Sequence, residues 1–203
     1  MYRNAFTMLE LVFIIVVIGI LAAGIIPRVE RDSLNEVGEQ VLSHIRYTQH
    51  LAMTSQVYEE NEALWFHKRW HIGFVNGPCG LYYQLGSDWD FSSGGSMTQT
   101  EAARDPLTHD LIYNNNFPCD YRSGWYDGVL LTSKYDIVSM DSSCNTQTIG
   151  FDHLGRPYSN IGTLHANDGL MHEDCHYTFT HADGSSIRIT VTAETGYAFI
   201  TYI

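Results

Sequence analysis

Basic residues are scarce in this chain of 203 residues: 11 Lys and Arg stand against 23 Asp and Glu, a formal net charge of −12. A surface of that sign repels phosphate backbones, whose binding depends on Lys and Arg, and this argues against nucleic acid as a partner. Catalytic signatures are also missing. There is no phosphate-cradling glycine loop, no G-x-S-x-G elbow, no H-E-x-x-H and no C-x-x-C, so no enzyme activity and no cofactor is expected. No internal repeat is evident. Charged residues are only 17% of the chain, too few for a disordered tail. Long apolar runs are absent too, with one exception, and the chain is organised around it.

That run is Phe6-Thr7-Met8-Leu9-Glu10-Leu11 and the residues up to Pro27. From Leu11 to Ile26 there is no polar side chain, and between Phe6 and Ile26 the single charge is Glu10. As a helix these residues would span roughly 32 Å at about 1.5 Å per residue, enough for a hydrocarbon core of about 30 Å. The Gly24-Ile25-Ile26-Pro27 stretch is a poor signal-peptidase site, so a retained anchor is expected. Glu10 does not fit a plain anchor, because a carboxylate among apolar neighbours normally has a partner. No Lys, Arg or His lies within helical reach of it on the apolar side.

These residues resemble the N-terminus of a type IV pilin or pseudopilin. The resemblance implies a leader at 1–5 ending in Ala5, cleavage between Ala5 and Phe6 by a prepilin peptidase, and N-methylation of Phe6. It departs from the usual pattern in having Ala5 where glycine is common. Glu10 would then face the terminal amine of a neighbouring subunit and guide assembly. A weaker similarity, to GspH/FimT-like minor pseudopilins, covers Ile149-Gly150-Phe151-Asp152-His153-Leu154-Gly155-Arg156-Pro157 and the turn at Glu194-Thr195-Gly196. Together they imply a minor subunit of a type II secretion pseudopilus or a type IV pilus-like filament, whose partners are other pilins or pseudopilins. The implied location is the inner membrane, single-pass, with the head periplasmic. A tip subunit that binds extracellular DNA or a surface is the alternative.

The fold expected is α+β: one long N-terminal helix, membrane-spanning in its first half and amphipathic in its second, packed on an antiparallel β-sheet head. The divisions are 1–5 leader, 6–27 transmembrane or filament-core helix, 28–60 amphipathic helix and 61–203 head. Pro27 should kink the helix, since it lacks the N–H that would bond the Ala23 carbonyl. Beyond it Leu34, Val37, Val41, Ile45, Thr48 and Ala52 share one face, with Glu36, Glu39, Ser43, Arg46 and His50 opposite. Strand patterns follow at Leu64–His67, Trp70–Val75, Leu81–Leu85, Leu111–Tyr113, Gly128–Thr132, Ile137–Met140, Thr146–Phe151, Ser186–Thr192 and Tyr197–Tyr202. Turn chemistry sits at Asn76-Gly77-Pro78 and at Ala193–Gly196. The polar stretch from Gly86 to Asp110 reads as a surface insertion with a short helix near Thr100–Arg104.

Four cysteines, Cys79, Cys119, Cys144 and Cys175, allow three pairings, among which proximity along the chain favours Cys79–Cys119 and Cys144–Cys175. His165, His172, Cys175, His176 and His181, with Asp168, Glu173 and Asp174 among them, are metal-ligand types without a closed zinc spacing, and no metal is expected. Asp88 and Asp90 could supply oxygens to calcium, but two acids in a polar loop are commonplace, and no calcium is expected there. Trp65, Trp70, Trp89 and Trp125 form either core or a binding face. The pilin-like motif yields the first prediction. Mass spectrometry of the mature protein should find Phe6 as the first residue with a methylated amine, and an intact Met1 would exclude such processing.

Overall fold

The computed structural model describes residues 7–90, 97–115, 122–144, 146–162 and 165–203, the side chains of 23–32 excepted. Helix α1 (Met8–Thr54) starts where Thr7, in an extended conformation, accepts the Glu10 N–H through its hydroxyl at 3.3 Å. A threonine cap followed by an acid in the first turn satisfies free amides and complements the helix dipole. The helix continues without interruption past position 27. It ends as Ser55 turns extended and its N–H returns to the Leu51 carbonyl.

Eight strands follow in two antiparallel sheets. The first contains β1 (His71–Gly77), β2 (Gly80–Gly86), β4 (Thr148–Phe151) and β5 (Pro157–Tyr158), in the order β2-β1-β4-β5. The second contains β3 (Ile137–Ser142), β6 (Cys175–His181), β7 (Ser186–Val191) and β8 (Ala198–Tyr202), in the order β3-β6-β7-β8. Between β1 and β2 the register closes at Gly77 opposite Gly80, leaving Pro78 and Cys79 as the turn. Gly80 has φ +88° there, and a Cβ would press on the Thr132 side chain, so glycine is required twice over. Between β7 and β8 the turn places Glu194 and Gly196 both at positive φ.

The sheets meet through aromatic contacts: Phe74 of β1 lies 5.3 Å from Tyr177 and 5.4 Å from Phe179 of β6, between ring centroids. Into the same core α1 inserts Leu34, Val37, Val41, Leu42, Ile45 and Ala52. They share it with Ile72 and Phe151 of the first sheet and Ile187 and Ile189 of the second. Gly38 is buried where a Cβ would run into the end of Ile187, so the missing side chain lets helix and strand approach. A short helix, α2 (Leu131–Tyr135), adds two more core residues, Leu131 and Tyr135.

Several expectations are corrected. The fold is not a membrane-spanning helix laid on one sheet: there are two four-stranded sheets, and the buried part of α1 touches strands of both. Among the described residues no helix is long and apolar enough to cross a membrane. The single-pass inner-membrane location thereby loses its support.

The strand expected at Leu64–His67 is a turn of 3-10 helix, Trp65–Lys68, in which the neighbours Phe66 and His67 are both buried, a pattern no alternating strand allows. Gly128–Thr132 is likewise the end of a 3-10 turn, Asp127–Val129, running into α2, which Asp136 stops at φ +53°. Leu111–Tyr113 makes only isolated bridges, from Leu111 to Arg104 and to Trp125. The polar insertion also does more than cover surface. Ala103 donates to the Leu85 carbonyl and Leu85 to the Ile112 carbonyl, so the segment lines the end of β2. Its short helix is Gln99–Glu101.

Ile45 is fully buried in the shared core and Glu39 is exposed on the opposite side of the same helix. Ile45→Ala should therefore cost about 2–5 kcal/mol through transfer and cavity terms, whereas Glu39→Ala should change stability by less than about 0.5 kcal/mol. Urea unfolding of the two variants beside the parent checks both.

Candidate functional site

The first third of α1 is the most unusual surface of the molecule. Every described residue from Thr7 to Ala22 is exposed. Twelve large apolar side chains stand in the open there, from Met8 at 87% and Leu9 at 81% through Phe13 and Ile20 to Leu21. Monomeric proteins rarely leave contiguous apolar patches larger than a few hundred Å2, and larger ones mark contact with something else. Glu10, the one charge on this arm, makes no ion pair among the described residues. Ala5 and Phe6, the expected cleavage site, lie outside the described residues, as does the side chain of Pro27.

Other expected residues are dispersed. Cys175 is joined to Cys144 by a disulfide that ties the start of β6 to the turn after β3. Cys79 is not free, and its expected partner Cys119 lies outside the described residues. The histidine-rich stretch is not drawn into one cluster. His176 points away from the core and contacts Thr190 Oγ1 at 2.9 Å, while His181 is buried beside Asp183. His165 and His172 are exposed on the preceding loop.

The acids at 88 and 90 are joined by Glu101, which residue pattern alone had not singled out; the Thr98-x-x-Glu101 capping box was the signal available. Their oxygens lie within 4.8 Å of one another. Glu101 already accepts from the Asp90 amide with one oxygen and from the Thr98 amide and hydroxyl with the other. The tryptophans do not share a face. Trp125 is buried against Tyr113, Trp70 donates to Ser55 Oγ at 2.9 Å, and Trp89 is exposed. Trp65 packs edge-on against Tyr58 at 5.3 Å, and the two wall an apolar groove of about 400 Å3 with Val57 and His153.

A second, polar feature was not visible in the residue pattern. Near the middle of its buried part α1 presents Gln40 and His44 one turn apart. Gln40 Nε2 donates to Tyr83 Oη at 2.9 Å and to the Gly128 carbonyl at 2.6 Å, while its Oε1 accepts from Tyr135 and Tyr126 hydroxyls at 2.8 and 3.2 Å. His44 Nδ1 lies 2.7 Å from the same Tyr83 Oη, and its Nε2 lies 3.2 Å from Asp105 Oδ2. Asp105 Oδ1 accepts the Leu107 and Thr108 amides at 2.9 and 2.8 Å. A groove of about 330 Å3 opens beside this network, lined by Ser43, Tyr47, Pro106 and Leu107 among others.

Burial lowers the His44 pKa and outweighs the contrary pull of Asp105. For Asp105 burial works upward, but the Thr108 amide, the His44 ring and the Leu107 amide together bring its pKa below the usual carboxylate range. Tyr83, wholly buried, is pushed well above the ordinary phenol value.

No protein family, curated protein or solved structure matches the chain. What it does must be argued from its own residues.

The disulfide has a stability consequence. Cys144 and Cys175 are 31 residues apart, and in the chain-entropy view the loop they close is worth about 3–4 kcal/mol. Cys144→Ser with Cys175→Ser should lower the urea midpoint and steepen the slope, because the unlinked denatured chain exposes more surface; an unchanged midpoint would show that the bond is not formed in the folded protein.

Proposed function

We propose that the protein is a subunit of a pilin-like filament, most simply a minor pilin or pseudopilin, which assembles by bundling the Met8–Ala22 arm with the same arm of neighbouring copies. The observation that carries this reading is the exposure of the whole arm on a chain whose other large apolar residues are mostly buried. The pilin-like motif around Glu10 supports it independently. Burying a large apolar side chain is worth about 1.5–3 kcal/mol. Twelve such side chains therefore outweigh any single polar contact on the arm as a driving force for association.

Glu10 has a different task. Once arms surround it, its carboxylate needs a cation, and the α-amine that cleavage before Phe6 would expose on a neighbouring chain would supply one. Methylation of that amine leaves its charge in place. Removing one member of a buried ion pair costs about 3–5 kcal/mol. On this reading apolar area drives association while Glu10 fixes the stagger between subunits. Other pilins and a prepilin peptidase are the partners implied.

Protein recovered from producing cells under native conditions should sediment as an assembly. Ile14→Asp should reduce it to single chains with the head still folded by circular dichroism. Glu10→Ala should weaken assembly by about 3–5 kcal/mol while leaving the arm helical. Assembly unaffected by Ile14→Asp would overturn the proposal. Retardation of DNA at low salt and micromolar protein would favour a DNA-binding tip subunit instead, a role that the charge of −12 opposes.

A further inference from the structure

The ring of hydrogen bonds around His44 can be solved for its protons. Gly128 offers only a carbonyl, so the Gln40 group facing it must be the NH2, and that same nitrogen donates to Tyr83 Oη. The Tyr83 hydroxyl, having accepted one bond, sends its own proton to the remaining neighbour, His44 Nδ1. Asp105, an ionised carboxylate, can only accept, so His44 Nε2 carries the hydrogen. Every donor and acceptor is matched with a neutral imidazole. A second proton, on Nδ1, would point at an oxygen that already receives the Gln40 bond. The Tyr83 O–H would then be left without an acceptor in a fully buried position, which costs more than an ordinary lost bond.

We propose that this ring is an acid-released latch, holding the loop at 104–111 against α1 only while His44 is neutral. The loop depends on it because Asp105 is the joint. One Asp105 oxygen holds the Leu107 and Thr108 amides and the other holds His44. The Tyr47 hydroxyl adds a bond to the Arg104 carbonyl at 3.2 Å, and backbone bonds link Asp105 with Asp110 and with His109.

The groups around the imidazole are few. Tyr83 faces it from β2, the Tyr126 ring lies 5.6 Å away from the 122–129 segment, and Gln40 and Tyr47 flank it on α1. Glu36 is joined to it only at a distance, through Tyr135, Gln40 and Tyr83 in turn. Arg104, next to Asp105, spends its guanidinium on the His109 carbonyl. Asp105 alone bears on the ring as a charge.

The sign follows from burial. A histidine whose pKa is lower folded than unfolded stabilises the closed form above the unfolded value, near 6.5, and that stabilisation is lost as pH falls through the folded value. Asp105, whose own pKa is lowered, remains ionised through that window. The latch is independent of filament assembly and stands or falls separately from it.

Amide hydrogen exchange of the full chain in mild detergent tests it, with each rate corrected for the intrinsic pH dependence of exchange. Between the open-state value near 6.5 and the lower folded pKa of His44, protection of Leu107 and Thr108 should fall by up to about tenfold per pH unit, the dependence of single-proton uptake, and level off below the folded value. The Ile189 amide, in the middle of β7, should keep its protection over the same range. His44→Gln, whose amide can accept from Tyr83 and donate to Asp105 but does not titrate, should abolish the fall. NMR titration of the His44 ring in the parent chain needs no variant, and should give a pKa below the ordinary 6.5. Protection at Leu107 and Thr108 that is constant from about pH 7.5 to 4.5, or a fall that persists in His44→Gln, would overturn the latch. A ring titrating at or above the ordinary value would do the same.

Discussion

The structure depends on one constraint: α1 must serve two environments on a single rigid rod. From Leu34 onward its apolar stripe is enclosed by strands of two sheets, with Gly38 allowing Ile187 to close on the helix. From Met8 to Ala22 every residue of the same helix is exposed among the described residues. A helix can be extended this way because its backbone bonds are satisfied internally, whatever surrounds the side chains. The head anchors the rod, and the arm presents twelve large apolar groups to whatever covers them.

The head anchors it on two sides by different means. One face of α1 is apolar and locks by packing. A neighbouring stripe, Gln40 and His44 with Tyr83, Tyr126 and Tyr135, locks by hydrogen bonds in which each Gln40 group is used twice. Packing tolerates small shifts, whereas a network this fully matched allows one arrangement of protons and one register of helix against strand. Charge is buried elsewhere too, at Arg69, Asp88, Glu101 and Asp152. Arg69 is 2% exposed, lies 3.8 Å from the Tyr158 ring centre and donates to the Ala166 carbonyl, which fastens the loop before β6 to the first sheet.

What could be read in the chain, and what could not, divides along the range of the forces involved. Hairpin β1–β2 is announced by Asn76-Gly77 between apolar runs, and hairpin β7–β8 by Glu194-Thr195-Gly196, because a tight turn is decided by residues within it. Leu64–His67 misleads because Trp, Phe and Leu suit strands as well as buried turns; the 3-10 conformation there is set by Glu62, whose carbonyl holds Trp65 and whose carboxylate holds Leu64. Gly128–Thr132 misleads in the same way: the Gln40 amide claims the Gly128 carbonyl, a partner 88 residues away. Strand β6 was hidden by the histidines and acids around it. The disulfide between Cys144 and Cys175 was legible as a pairing but not as geometry.

By itself the amino-acid sequence determined the local order: a long N-terminal helix, an apolar stretch carrying one acid, a face of Leu34, Val37, Val41 and Ile45, and two glycine-bearing hairpins. These depend on periodicity and on residues a few positions apart, so the chain states them directly. Only the tertiary structure decided that the strands divide into two sheets, that the arm remains uncovered, and that Gln40, His44, Tyr83 and Asp105 form one ring. Each of these turns on contacts between residues tens of positions apart, where spacing along the chain carries no information about distance in space.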